Sequence, residues 1–324
     1  GAACLRRPEP VVTRGRAREA PDGREPDVLD AIGGTPMVTL RHVVPPGHAR
    51  IVVKLEGHNP TGSMKDRMAR SVLDGAVASG RLAPDGTLVE YTGGSTGTSL
   101  AFVCAARGYR ATMVTSDAFS REKRDHMRAL GAEVVEIPSD GGRITSELIR
   151  AMMDRAAALC AADTHLLADQ FNNPDVAAGY APLAEEIWRQ SGGQVDAFVQ
   201  AVGTAQCING VAGTLRRLAP DAEIVAVEPA ESAVLSGGAK GAHGIEGIGP
   251  GFVPPMWNAG LVDGVEAVST DEARAMARRL AAEEAIFAGT SAGANVVAAL
   301  RVARRLGPDH TVATLMCDSG LKYL

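Results

Sequence analysis

From Thr87 onward, short apolar runs with strand character alternate with helical stretches, and this alternation leaves few architectures open to the chain. Strands are expected at Thr87 to Tyr91, Ala111 to Thr115 and Glu133 to Ile137, separated by helices from Thr98 to Arg107 and from Arg121 to Leu130. A second series follows, with helices Thr145 to Ala162 and Gly179 to Gln190, strand Ala197 to Val202, helix Asn209 to Leu218 and strand Glu223 to Val227. Parallel neighbours need long crossovers, which helices supply, so each series predicts a parallel sheet covered by helices. In 324 residues, 45% of them apolar, two series imply two doubly wound α/β domains, placed at 27–169 and 170–324.

Ahead of them, Met37 to Val44 and Arg50 to Leu55 flank the turn Pro45-Pro46-Gly47 and read as a hairpin, residues 37–56, expected to pack on the other domain. Residues 1–26 carry Pro8, Pro10, Pro21 and Pro26 among alternating charges and are expected to form a flexible tail.

Composition removes several classes of function. Lys and Arg total 33 against 38 Asp and Glu, a net charge of -5, so there is no basic field to draw nucleic acid. No apolar run approaches the roughly 20 residues that cross a bilayer. The five cysteines lack a Cys-x-x-Cys pair and any zinc-like spacing, so reduced thiols, a cytoplasmic location and no metal are expected.

In parallel α/β folds, ligands bind beyond the carboxyl ends of strands, where loops meet helix starts. Three glycine loops occupy such places: Gly93-Gly94-Ser95-Thr96-Gly97, Gly203-Thr204-Ala205-Gln206-Cys207 and Gly289-Thr290-Ser291-Ala292-Gly293. They are expected to converge on one cleft. With five lysines against twenty-eight arginines, a search for a nucleophilic amine proceeds by elimination. Lys54, Lys123, Lys240 and Lys322 read as solvated surface cations. Lys65 follows the turn Asn59 to Ser63 at a helix start, where the dipole disfavours its proton, and a neutral amine is what attack on an aldehyde requires. Position alone also fits an ordinary exposed lysine.

The order of motifs decides between these readings. Ile32-Gly33-Gly34-Thr35-Pro36, Asn59 to Arg67, Thr92 to Thr96, Asp169 to Pro174, Gly203 to Cys207, Glu246 to Gly249 and Gly289 to Gly293 together resemble the cysteine synthase and cystathionine β-synthase family, over nearly all the chain from Ile32. These are the fold type II, pyridoxal 5'-phosphate-dependent β-replacing enzymes. The resemblance implies that the cofactor lies in the cleft between the domains, bound through Lys65. It implies that the loop at Gly203, Thr204, Ala205, Gln206 and Cys207 holds the phosphate, that Ser291 faces the pyridine nitrogen, and that Ser95 lies near the cofactor or substrate. It places the substrate carboxylate on Thr92, Gly93, Ser95, Thr96 and Gln170, with Gly247 in a neighbouring segment. A serine at the ring nitrogen leaves the ring neutral, which suits elimination and replacement at the β-carbon through an aminoacrylate. Cysteine synthesis from O-acetylserine and sulfide is the default reading, with other thiol or amine nucleophiles, cystathionine or diaminopropionate-type products as alternatives, and a homodimer is implied.

The chain departs from the family at two loops. Gly-Thr-Gly-Gly-Thr becomes Gly203-Thr204-Ala205-Gln206-Cys207, with side chains where glycines allow unusual backbone angles and a weak thiol donor for a hydroxyl. Thr-Ser-Gly-Asn-Thr becomes Thr92-Gly93-Gly94-Ser95-Thr96, which leaves the substrate open. Competing readings are a hydrolase, since both serine loops fit Gly-x-Ser-x-Gly, and a non-catalytic relative that binds a partner protein. After Ser291 only His310 remains, immediately behind Asp309 and near the chain end, which leaves no room for the hydrolase order of serine, acid, then histidine; for Ser95, His126, His165 and His243 follow and leave that reading open.

Overall fold

The structure is a computed structural model that describes residues 25–323, so nearly all of the expected tail lies outside the described residues. The described chain opens with β1 (Met37–Thr39) and β2 (Arg50–Leu55), antiparallel, with Met37 opposite Lys54. Next come α1 (Lys65–Ala78), β3 (Thr87–Tyr91), α2 (Ser95–Arg107), β4 (Arg110–Ser116), α3 (Arg121–Ala129), β5 (Glu133–Ile137), α4 (Ser146–Leu159) and β6 (His165–Leu167). Two helices, α5 (Asp175–Ala178) and α6 (Ala181–Gln190), lead to β7 (Ala197–Ala201), α7 (Gln206–Leu218), β8 (Glu223–Pro229) and β9 (Gly264–Val268). The chain finishes with α8 (Thr270–Glu284), α9 (Thr290–Leu306) and β10 (Thr311–Met316).

The strands form two sheets. One is four-stranded and parallel, in the order β5-β4-β3-β6. The other has six strands, β1-β2-β10-β7-β8-β9, all parallel except β1. This is the expected two-domain α/β architecture. The hairpin belongs to the second sheet, because β2 lies against β10 with Arg50 opposite Thr311. Central strands β7 and β10 are buried at every position, as expected where helices cover both faces, and their sequences are correspondingly apolar.

Three boundaries differ from the sequence reading for identifiable reasons. Helices α2 and α7 begin at Ser95 and Gln206, three residues before the expected starts, because the residues after the glycines already carry helical backbone. The first strand stops at Thr39, not Val44, since the N–H groups of Arg41, His42 and Val43 turn to the Glu284 carboxylate. Gly293 lies inside α9, where a Cβ would sit 2.0 Å from the Ala273 carbonyl oxygen, so that glycine serves helix packing.

Candidate active site

Lys65 is the first residue of α1, and the turn before it is stitched to the end of β10. Met64 N–H donates to the Cys317 carbonyl at 2.9 Å, and Ser319 N–H donates to the Gly62 carbonyl at 2.9 Å. The side chain is partly buried, and loss of solvent is the main cause that pulls its ammonium below the usual lysine range. Cys207, Cys317, Asp318 and Glu90 lie within electrostatic reach of it. Glu90, in β3, is wholly buried; desolvation raises its carboxyl to about 8. Burial likewise pushes the Cys317 thiol up to about 12 and the Cys207 thiol higher, so both are uncharged beside the amine.

Those neighbours bring the glycine loops together. Cys207 stands in the first turn of α7, and Cys317 shares hydrogen bonds with Ser291 and Asn295 of α9. Glu90 accepts from Gln170 N–H at 3.1 Å, and the Thr96 hydroxyl donates to Gln170 Oε1 at 2.8 Å. Gly203 meets Gly247 so closely that a Cβ on Gly203 would lie 2.5 Å from the Gly247 carbonyl oxygen, and Glu246 N–H donates to Thr290 Oγ1 at 3.2 Å. Lys65, Thr96, Gln170, Gly203, Cys207, Gly247 and Ser291 thus belong to one connected region.

The N-cap residues of α1, α2, α7 and α9 supply no side-chain cap; the Ser63 and Thr92 hydroxyls accept from Lys65 N–H and Gly97 N–H at the first two, which leaves α7 and α9 as the open starts, while α3, α4 and α8 are capped by Ser120, Thr145 and Ser269. An uncapped helix start presents N–H groups and the positive end of the dipole to an anion. At α7 this is the geometry a phosphate requires. Ala205, its N-cap, adopts φ +65°, in the left-handed region where glycine is at ease. Among the described residues none hydrogen-bonds to the buried Oδ1 of Asp318. The N–H groups at the start of α7 and a desolvated amine nearby fit a phosphate-bearing aldehyde.

Several expected residues have tasks the sequence did not indicate. Thr92 Oγ1 accepts from the N–H groups of Gly94 and Gly97, so Thr92, not Thr96, holds the loop in shape. Gln206 is fully buried with its amide turned onto the Asn173 carbonyl, which leaves its backbone N–H for the helix start. Ser95 is half-buried at the first position of α2, and Gly93 beside it is exposed. His243, which was not among the expected residues, accepts from Ile245 N–H through Nδ1 and lies 2.9 Å from the Gly249 carbonyl through Nε2, so it braces its own loop.

The reading of Lys54, Lys123 and Lys322 as solvated is corrected, while Lys240 is exposed as expected. Lys54 is fully buried, 2.6 Å from Glu186, and Lys322 donates to the Thr61 carbonyl at 2.9 Å. Lys123 is 8% exposed and pairs with Glu246 at 3.1 Å. Each is buried by segments distant in sequence, so local pattern could not show it. Glu90, Cys317, Asp318, Lys123 and Tyr323 were absent from the expected site, and Glu246 entered only as the first residue of a motif; of the absent ones only Glu90, a charge in an apolar strand before a glycine loop, carried a local signal.

The fold is that of the fold type II pyridoxal-phosphate-dependent enzymes. Residues 28–318 match the family described as "Pyridoxal-phosphate dependent enzyme", and the chain belongs to that family. It is 40% identical over 300 residues to a cysteine synthase of Staphylococcus aureus (strain Mu50 / ATCC 700699), covering 92% of this chain and 95% of that one. O-acetyl serine sulfhydrylase isoform 3 from Entamoeba histolytica superimposes with a TM-score of 0.87 at 36% identity, covering 96% and 93% of the two chains. The O-acetylserine dependent cystathionine beta-synthase from Helicobacter pylori gives 0.84 at 35% identity, covering 92% and 96%.

Proposed function

We propose that this protein replaces the β-substituent of an activated serine, O-acetylserine by preference, with sulfide or another thiol or amine nucleophile, giving cysteine or a related β-substituted alanine. The observation that carries the reading is the convergence of the Lys65 amine, the uncapped start of α7 and the Thr96–Gln170 pair. Similarity to enzymes named for O-acetylserine supports the choice of substrate.

Pyridoxal phosphate, when bound, supplies an electrophilic ring that stabilises negative charge at the substrate α-carbon. Lys65 would hold it, and burial lowers the amine below the usual lysine range, the direction that favours its nucleophilic form. The first-turn N–H groups of α7, with Thr204, Ala205, Gln206 and Cys207, would bind the phosphate, and Gly203 gives the close approach. Ser291 would face the ring nitrogen as a neutral partner. Gly93, Ser95, Thr96 and Gln170 would bind the amino-acid carboxylate on a loop shaped by Thr92, with Gly247 behind the phosphate loop. Once released, the Lys65 amine is placed to take the α-proton and to return it at the end of the cycle.

The functional units are assigned to residues 27–169 and 170–324, with the hairpin working as part of the second. A homodimer in the cytoplasm completes the proposal. The test is the visible absorption of purified protein: a yellow species should shift on adding O-acetylserine and return on adding sulfide. Protein that stays colourless with added pyridoxal phosphate overturns the reading.

A further inference from the structure

Lysine is rare in this chain, yet three of the five lysines, Lys65, Lys123 and Lys322, stand around the cleft. Lys123 is the least expected of them. It belongs to α3, and its stem packs on the loop proposed to hold the substrate carboxylate: a Cβ on Gly94 would lie 2.3 Å from Lys123 Cδ. Its ammonium crosses to the other domain, 3.1 Å from Glu246 Oε2 and 4.4 Å from the centroid of the Tyr323 ring. Tyr323 in turn donates its hydroxyl to Asp318 at 2.5 Å.

The two members of the Lys123–Glu246 pair are unequal. The Lys123 side chain is 9% exposed, whereas that of Glu246 is 60% exposed. A desolvated ammonium needs an anionic or strongly polar partner, because leaving it unpaired out of water is costly. A solvated carboxylate on a flexible stem is a weak partner, since its own hydration and side-chain entropy compete with the pair. Lys123 also stands within electrostatic reach of the buried Asp318, so its charge is shared between a buried and an exposed carboxylate, and the exposed one, Glu246, is the partner that can give way. The carboxylate of the first substrate is already assigned to Thr96 and Gln170, so the anion belongs on the other reactant.

We infer that Lys123 is the specificity-determining residue for the second substrate: it binds the carboxylate of an incoming thiol or amine, which takes the place of Glu246. This inference rests on the β-replacement reading above. It makes the preferred nucleophile a carboxylate-bearing molecule rather than a neutral one, and it makes Glu246 an internal stand-in that keeps the ammonium paired between turnovers.

The test compares two thiols of similar size, mercaptoacetate and mercaptoethanol, as acceptors for the holoenzyme with O-acetylserine, each corrected to its thiolate concentration. The wild-type kcat/KM ratio should favour mercaptoacetate by about tenfold, the scale of one charge-assisted contact. Lys123→Gln should bring the ratio towards one. Glu246→Gln, a change at an exposed side chain, should raise it by removing the internal competitor. A wild-type ratio near one, or a ratio unmoved by Lys123→Gln, overturns the inference. So does a preference for O-phosphoserine over O-acetylserine that Lys123→Gln abolishes, because the ammonium would then serve the leaving group. Sulfide turnover by the wild type separates these outcomes from failure of the underlying reading: without it, both fall.

Discussion

Arg67 Nη1 stands 2.8 Å from Glu186 Oε1, and this contact ties the helix that carries Lys65 to α6. Arg67 also pairs with Glu56 at 2.7 Å, and Glu186 with Lys54 at 2.6 Å, so the four charges form a closed, nearly dry cluster behind the site. Burial alone would raise the Glu186 carboxyl, but hydrogen bonds from Arg67 and Lys54 outweigh it and hold the group down at about 2. Removing one member strands the others. Glu186→Gln is expected to cost about 3–5 kcal/mol, read as a lower urea midpoint at neutral pH. The sign with pH follows from the depressed value. The stabilisation is complete above the ordinary 4.5 and disappears as the pH falls through about 2, so the variant should lose part of the wild type's acid dependence.

Glu90 gives the opposite slope. Its folded value of about 8 lies above the ordinary 4.5, so between these limits the folded state holds a proton that the unfolded state releases. Stability contributed by this group is complete below 4.5 and declines as the pH rises through about 8. Melting temperatures of Glu90→Gln, measured across that window, should fall less steeply than those of the wild type. An identical slope would mean that the carboxyl ionises freely in the fold.

At Ala205 the backbone occupies a region that costs a non-glycine residue roughly 1–2 kcal/mol. Ala205→Gly relieves this strain while loosening the unfolded chain, and the balance should be a gain of about 1 kcal/mol in thermal or urea unfolding. Equal or lower stability would show that the Ala205 methyl, which is buried, contributes packing that offsets the strain.

Replacing the reactive amine separates chemistry from folding. Lys65→Ala should melt close to the wild type, since a partly buried lysine with a lowered charge contributes little, yet turnover of O-acetylserine should fall by about ten-thousandfold, the upper range for one positioned acid–base group. Added pyridoxal phosphate should then leave the protein with free aldehyde, detectable by its absorption. Substantial residual turnover would assign the proton transfer to another group.

The sheets were legible because parallel strands buried on both faces write themselves as apolar runs, and Lys65 was legible because a turn and a helix start meet there. Other features were not. Lys123 lies in Arg121-Glu122-Lys123-Arg124, a segment that reads as a solvated helix face, and its partner is 123 residues away. Lys54 sits in a strand whose neighbours gave no hint of Glu186. The starts of α2 and α7 were placed late because glycine signals a break, whereas here Gly94 and the strained Ala205 are the caps from which helix begins. The common cause is tertiary: burial and pairing across the cleft are set by segments that sequence proximity does not relate.

The pairing of β2 with β10 brings together Arg50 and Thr311, 261 positions apart. A chain emerging from the ribosome has its N-terminal hairpin free long before the strand that must receive it exists. Closing so large a loop before any contact rewards it slows folding, and the unpaired edge of β2 stays open to wrong partners meanwhile. The second sheet, and the turn that Met64 and Ser319 stitch to its end, can be completed only when synthesis is nearly over. Lys65 is therefore made early and positioned last, so a fragment that lacks the final strand cannot hold it in place.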